Sequence, residues 1–300
     1  MSLAVKELKE MLRRQTWIDR FAIPLQKAVQ GFYQRTGRLG TFLADFLNGA
    51  WLGHPLHPVI TDVPIGSWIA AVVLDGLEAS TGKRGFGRSA DTAVSIGVAS
   101  AVSAAAAGLT DWQHLQGESR RTGLLHATFN SLALIFFLSS LASRKNKQRA
   151  LGRSLALAGL ALSGAGAYLG GDLVFRQKIG VNHAPENLRQ PEFKPVLAVS
   201  DLPEDQPTRA MLKATPLVLV RRGQQVYALA ESCAHLGGPL AKGELSSGEA
   251  GIPQITCPWH GSIFAMDSGR VVRGPSAYPQ PCLEARIMNG QVEVRVRAEQ

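Results

Sequence analysis

ESCAHLGGPL (residues 231–240) and ITCPWHGSIF (residues 255–264) decide how the last third of the chain folds. Cys233 and His235 form a C-x-H pair, and Cys257 and His260 form a C-x-x-H pair. Glycines close both loops, as expected where a backbone wraps a compact group in conformations that a Cβ hinders. Tetrahedral zinc accepts two Cys and two His. Zinc modules, however, pair like ligands within each loop, as C-x2-4-C and H-x3-5-H. Here each loop mixes one thiol with one imidazole, the set of a [2Fe–2S] cluster with thiolates on one iron and imidazoles on the other.

With AMDSGRV following CPWHGSIF, residues 192–300 resemble the Rieske [2Fe–2S] family. The resemblance implies a small antiparallel all-β domain with both cluster loops at one tip, and one-electron transfer. Cys233, His235, Cys257 and His260 take the ligand positions. Two departures refine it. The segment between His235 and Cys257 is longer than usual, and SSGEAGIP (246–253) reads as a turn-rich insertion. Respiratory members also carry a further Cys in each loop, bridged to each other. Leu236 or its neighbours and Trp259 stand there instead, and Cys282 lies outside both loops. This is the ferredoxin-like type. High-potential relatives donate a Ser and a Tyr hydroxyl near the second loop. Ser262 matches the first and Phe264 stands at the second, so one bond is expected and one is missing. The range is roughly −150 to +300 mV, and the expected potential lies below the respiratory type and at or above the dioxygenase ferredoxins.

Three hundred residues suggest two domains. The net charge of +9 and pI near 9.8 would suit nucleic acid or a membrane surface. Apolar runs decide for the lipid bilayer, and no nucleic-acid partner is expected. Three cysteines give no disulfide framework. Arg13-Arg14 is not followed by an apolar segment, so no export signal is read there. Residues 1–53 read as basic amphipathic helices. Trp17, Phe21, Leu25, Val29, Phe32 and Tyr33 recur at helical spacing among Lys and Arg. Such a helix either packs on the body of the protein or lies on anionic lipid.

Residues 54–180 hold four apolar runs, at 58–77, 91–109, 124–142 and 155–175. Each is long enough to cross the hydrocarbon, and small residues in the second and fourth allow close helix contact. Four such runs in a row argue against a soluble bundle. Residues 181–191, with mixed charge and proline, read as a linker to the domain at 192–300. The fold class is therefore an α + β multidomain chain, a four-helix transmembrane bundle followed by an antiparallel all-β domain. Gly53-His54-Pro55-Leu56-His57-Pro58 and the four spans resemble a prokaryotic membrane-protein family of unknown function, which brings no activity with it.

Four crossings place His54, His57, His114, His126 and His183 on one face, the face that carries the cluster domain. A second metal or haem site is expected there. Each residue also has a plain role. Asp62 can cap the first span, with Pro64 in its first turn. His126, read in the first turn of the third span, is biased to the neutral, metal-binding imidazole. Basic residues do not separate the two faces. Cluster insertion without an export signal favours a cytoplasmic cluster domain on a multi-pass protein of the cell (inner) membrane. The expected function is membrane-anchored electron transfer, as a carrier or an oxidoreductase component. The donor would be a reductase, and the acceptor a haem b, another iron, a quinone or a cytochrome. The alternatives are an oxygenase with a non-haem iron on His54, His57 and Asp62 or His126, and a redox sensor.

Overall fold

The structure, a computed structural model, describes residues 15–185 and 188–296. Arg13-Arg14 and the start of the amphipathic segment lie outside the described residues. Six helices lead the chain: α1 (Asp19–Arg35), α2 (Gly37–Asn48), α3 (Leu56–Thr81), α4 (Arg84–Trp112), α5 (Gly117–Lys145) and α6 (Arg149–Phe175). The described chain divides into two compact units. One runs up to Leu43 and continues over Pro55–Ile179, and the other combines Ala44–His54 with Gly180 onward.

In the helical unit, α3 to α6 are each long and apolar enough to cross a membrane, at 26 to 29 residues. At 1.5 Å per residue that is about 40 Å, more than the hydrocarbon core alone. Hydropathy marks only the apolar centre of each helix. The helical hydrogen bonds continue into charged ends at Arg84, Asp91, Arg120, Arg149 and Arg153. Two readings change as a result. The first span begins at Leu56, so Asp62 and Pro64 lie inside it and Asp62 caps nothing. His126 lies well inside α5 rather than in its first turn. The outward faces stay apolar, with Val63, Val73, Val102, Ile135 and Leu157 about half exposed. Water would select polar residues at such positions, and lipid does not.

The four helices form two hairpins, α3–α4 and α5–α6, and equivalent residues of the two meet on a common axis. Trp68 stacks on Phe137 with ring centres 4.2 Å apart. His57 stands 6.0 Å from His126. Arg144 forms a forked ion pair with Asp75. Each of these pairs is separated by 69 residues. Within each hairpin the aromatic ring packs on a helical glycine, Trp68 on Gly97 and Phe137 on Gly159. The structure therefore holds an internal repeat of one helical hairpin about a pseudo-two-fold axis along the helices.

Helix α1 docks on the connection after α4. Gln26 Nε2 donates to the carbonyls of Trp112 and Leu115, both at 2.9 Å, and Gln30 Nε2 donates to Gln113 O at 2.9 Å. These are carbonyls at the end of α4 and in the turn just beyond it. Asp19 accepts from Arg120 and Arg121 at 3.1 and 3.0 Å. Burial pushes its carboxyl up, but the two guanidiniums outweigh this and hold it below the usual carboxylate range. The docked stripe is Ala22, Gln26 and Tyr33. Trp17, Phe21, Leu25 and Phe32 point outward, so the helix packs on the body and still offers an apolar, cation-flanked face suited to a bilayer surface.

The second unit contains two antiparallel sheets. One has the order β1-β10-β9-β4-β3-β2, and the other β5-β6-β7-β8. The strands are β1 (Lys194–Ala198), β2 (Thr208–Leu212), β3 (Thr215–Arg222), β4 (Gln225–Ala230), β5 (Glu244–Ser247), β6 (Pro253–Thr256), β7 (Ile263–Ala265), β8 (Val271–Arg273), β9 (Cys282–Met288) and β10 (Gln291–Val296). PLVLVRRGQQVYALA and ARIMNGQVEVRVR each read in sequence as two strands around a turn, and the β3–β4 and β9–β10 hairpins fall there, the second on Asn289-Gly290 with both residues at positive φ. SSGEAGIP forms the end of the β5–β6 hairpin, closed by Gly248 N–H to Ile252 O at 2.8 Å. The stretch read as a linker is tied to this unit. His183 N–H reaches Ala234 O at 2.9 Å, Tyr278 Oη donates to Gly180 O at 3.0 Å, and Val296 N–H donates to Gln190 O at 2.8 Å.

Candidate iron–sulfur centre

The first loop leaves β4 and the second joins β6 to β7. They have the same backbone frame. Cys233 N–H bonds Gly238 O at 2.9 Å and Cys257 N–H bonds Ser262 O at 2.8 Å. Four residues on from each cysteine, Gly237 and Gly261 return N–H to the cysteine carbonyls at 2.8 and 3.1 Å, with φ of +76° and +78°. That conformation favours glycine. Gly238 also lies so close to Cys257 Sγ that a Cβ would come within 2.8 Å of it.

Both cysteines are buried, and their thiols are hydrogen-bonded to each other. The bond to Cys257, then burial, pushes the Cys233 thiol up. The bond from Cys233 draws Cys257 down to about 6. Backbone N–H groups of His235 and Leu236 point at the Cys233 sulfur, and those of Trp259 and His260 at the Cys257 sulfur. The imidazoles of His235 and His260 stand 5.0 Å apart at 89°. Burial holds His260 below its ordinary value, in the neutral form that binds metal. These residues fit a [2Fe–2S] cluster, with two adjoining sulfurs on one side, two adjoining imidazoles on the other, and N–H donors aimed at the sulfurs.

A third segment supports both loops, and sequence reading did not single it out. Gln280 is buried, and its Nε2 donates to Ala230 O and Ser232 O at 2.7 Å each while its Oε1 accepts from Ala234 N–H at 3.0 Å. Ser276 N–H donates to Ser262 Oγ at 3.0 Å. The only trace of this in sequence is polar residues among the prolines of GPSAYPQP (274–281).

Relatives in known proteins match this unit. Residues 192–284 match the family model described as "Rieske [2Fe-2S] domain". The ferredoxin CarAc of Metapseudomonas resinovorans is 32% identical over 81 residues, 27% of this chain and 71% of that protein. The chain belongs to the Rieske [2Fe–2S] family. The anthranilate 1,2-dioxygenase ferredoxin subunit of Burkholderia cepacia is 28% identical over 105 residues, 35% of this chain and 93% of that protein. Apoptosis-inducing factor 3 of Mus musculus is 30% identical over 122 residues, 38% of this chain, and the chain spans 19% of its length. The Rieske domain is an iron–sulfur electron carrier of the ferredoxin type. Residues 53–183 match a second family model, described as "Predicted membrane protein (DUF2231)", so one chain joins a Rieske domain to a multi-pass membrane domain.

Ser262 is fully buried beside the second loop. Its Oγ accepts from Ser276, which leaves its own hydrogen to donate. Phe264 is fully buried in the core cluster that holds Cys233 and Cys257, and brings no hydroxyl. A hydrogen bond to a cluster sulfur stabilises the more negative, reduced state and raises the potential. Ser262→Ala is therefore expected to lower the midpoint potential. One bond of about 1 kcal/mol corresponds to roughly 40 mV for one electron. Phe264→Tyr is expected to raise it by a similar amount. Voltammetry of the full-length protein checks both, and an unchanged potential in Ser262→Ala refutes the donor role.

Of the five other histidines, the structure brings His57 and His126 together. His114 lies in the connection after α4. His54 and His183 belong to the Rieske unit, His183 with its backbone on the first cluster loop. Among the described residues, no three His, Cys, Asp or Glu side chains gather around one point. A cluster with two ligands on each iron needs no such triple, whereas an iron on two His and a carboxylate does. His54, His57, Asp62 and His126 are accordingly not assembled into one.

Proposed function

We propose that this protein is a membrane-anchored electron-transfer protein that delivers single electrons to an acceptor in or at the bilayer. Cys233, Cys257, His235 and His260 would hold the cluster, which when bound carries one electron at a time. The carrying observation is that one chain joins the paired cluster loops to four spans. Such a tether keeps the carrier at the membrane and makes encounter with a lipid-borne or membrane-held acceptor local. Trp259, 57% exposed beside His260, offers an apolar contact at the loop tip for a docking partner. The cytoplasmic side, where clusters are inserted, is the side we assign to the domain.

The test uses full-length protein in liposomes, reduced with dithionite and freed of excess reductant under anaerobic conditions. A lipid-soluble quinone is expected to reoxidise the cluster, read in its visible absorption, much faster than a water-soluble quinone of equal potential. Equal rates with both, or reoxidation by neither, would overturn the membrane-acceptor reading.

A further inference from the structure

We propose that His57 and His126 are the two axial ligands of a haem iron on the pseudo-two-fold axis of the four-helix domain. Each ring is oriented by its own hairpin. His57 Nδ1 lies 2.8 Å from Ala104 O on α4, and His126 Nδ1 lies 2.8 Å from Gly166 O on α6. A carbonyl oxygen only accepts, so Nδ1 carries the hydrogen in both rings and Nε2 keeps its lone pair. A ligating histidine is commonly set this way, with its other nitrogen donating to a backbone carbonyl. One turn beyond each carbonyl is a glycine, Gly108 under His57 and Gly170 under His126, where a Cβ would come within 2.8 and 3.1 Å of the ring. The same cradle is thus built twice. Nδ1 faces its own hairpin in each case, which leaves Nε2 as the nitrogen able to ligate. Asn130 Nδ2 makes its shorter bond to His126 O at 2.9 Å and stands 3.4 Å from Nε2, a long contact that a metal would displace.

The separation suits a shared ion. With metal–nitrogen bonds of about 2 Å and each nitrogen about 1 Å from its ring centre, two imidazoles on one ion stand roughly 6 Å apart. The observed separation is 6.0 Å, with the planes at 86°, and rotation about a metal–nitrogen bond leaves the bond intact. The chemistry selects the ion's setting. A bare ion needs further protein ligands, and among the described residues no third His, Cys, Asp or Glu joins these two. A macrocycle that supplies four equatorial nitrogens needs only two axial ligands from the protein. A site on the repeat axis also lets one motif, used twice, provide both. As a ligand pair this stands on its own geometry, whereas haem as the electron's destination rests on the electron-transfer reading above.

The test is the absorption spectrum and haem content of full-length protein purified in detergent from haem-replete cells. Stoichiometric haem with a low-spin, six-coordinate spectrum is expected. His57→Ala and His126→Ala should each lose haem by more than about tenfold, with the Rieske resonance retained as proof of folding. His57→Met should keep haem with a shifted spectrum, which a merely structural histidine would not produce. Wild-type protein with a cluster but no Soret band, or an unchanged low-spin spectrum in both alanine variants, overturns the proposal. Haem present without a Rieske signal upholds the ligand pair and sinks the electron-transfer reading alone.

Discussion

Full-length protein carrying His235→Ala or His260→Ala is expected to lose the Rieske electron-paramagnetic-resonance signal completely on reduction. Ligation of one iron by two imidazoles and of the other by two thiolates defines that signal and sets the potential above that of all-Cys clusters. The loss should not reflect unfolding. The loops are closed by backbone bonds from Cys233 to Gly238 and from Cys257 to Ser262, and Gln280 pins the first loop through backbone groups. Neither histidine side chain belongs to the core of Val218, Val220, Leu229, Leu240, Ile255, Phe264 and Met266 under the loops. Circular dichroism should therefore stay unchanged while iron content falls. His235→Cys or His260→Cys should remove the signal too, since the imidazole is lost even where iron is retained. A signal that survives in both alanine variants refutes the ligand assignment. Stoichiometric zinc without iron in fresh anaerobic protein would do the same.

The cluster loops were legible because their chemistry is local. A thiol and an imidazole two or three residues apart, with a glycine closing the turn, need no knowledge of the rest of the chain. The hairpins around Gly223 and Asn289-Gly290 were legible for the same reason, and the spans because their centres are uniformly apolar. What sequence did not show depends on partners far along the chain. The ends of α4 and α5 run past the apolar runs, and with them the first-turn argument for His126 lapses. Its tautomer is set instead by Gly166 O, 40 residues away. Gln280 acts on residues 46 to 50 positions earlier, which no local pattern reports. The hairpin repeat escaped notice because its equivalent positions hold different residues, Trp68 with Phe137, and opposite charges, Asp75 with Arg144. Helical packing on glycine keeps the geometry while the identities diverge.

Those opposite charges carry the second large effect. Arg144→Met is expected to destabilise the helical domain by about 3–5 kcal/mol, the usual cost of leaving one member of a buried ion pair alone. Arg144 and Asp75 side chains are 2% and 5% exposed, and the guanidinium also reaches Asp91 at 2.8 Å and Ser140 Oγ at 3.0 Å. Asp91 keeps Arg149 at 3.1 Å, but Asp75 would keep only a longer contact to Arg149 at 3.8 Å. At about 2–4 °C per kcal/mol for a domain of this size, the midpoint of thermal aggregation in detergent should fall by roughly 10 °C. Removing both charges, in Asp75→Leu with Arg144→Met, should restore most of the loss, because a buried pair replaced by apolar residues is often close to neutral. A single variant as stable as wild type, or a double variant as weak as the single one, refutes the account. The pattern also explains why the two hairpins pair with each other. The first contributes Asp75, Glu78 and Asp91, and the second Arg144, Arg149 and Arg153, which join across the axis through Arg149 and Arg153 to Glu78. Two copies of either hairpin would set like charges together at the same buried place, a cost of the same order as that of the unpaired Asp75.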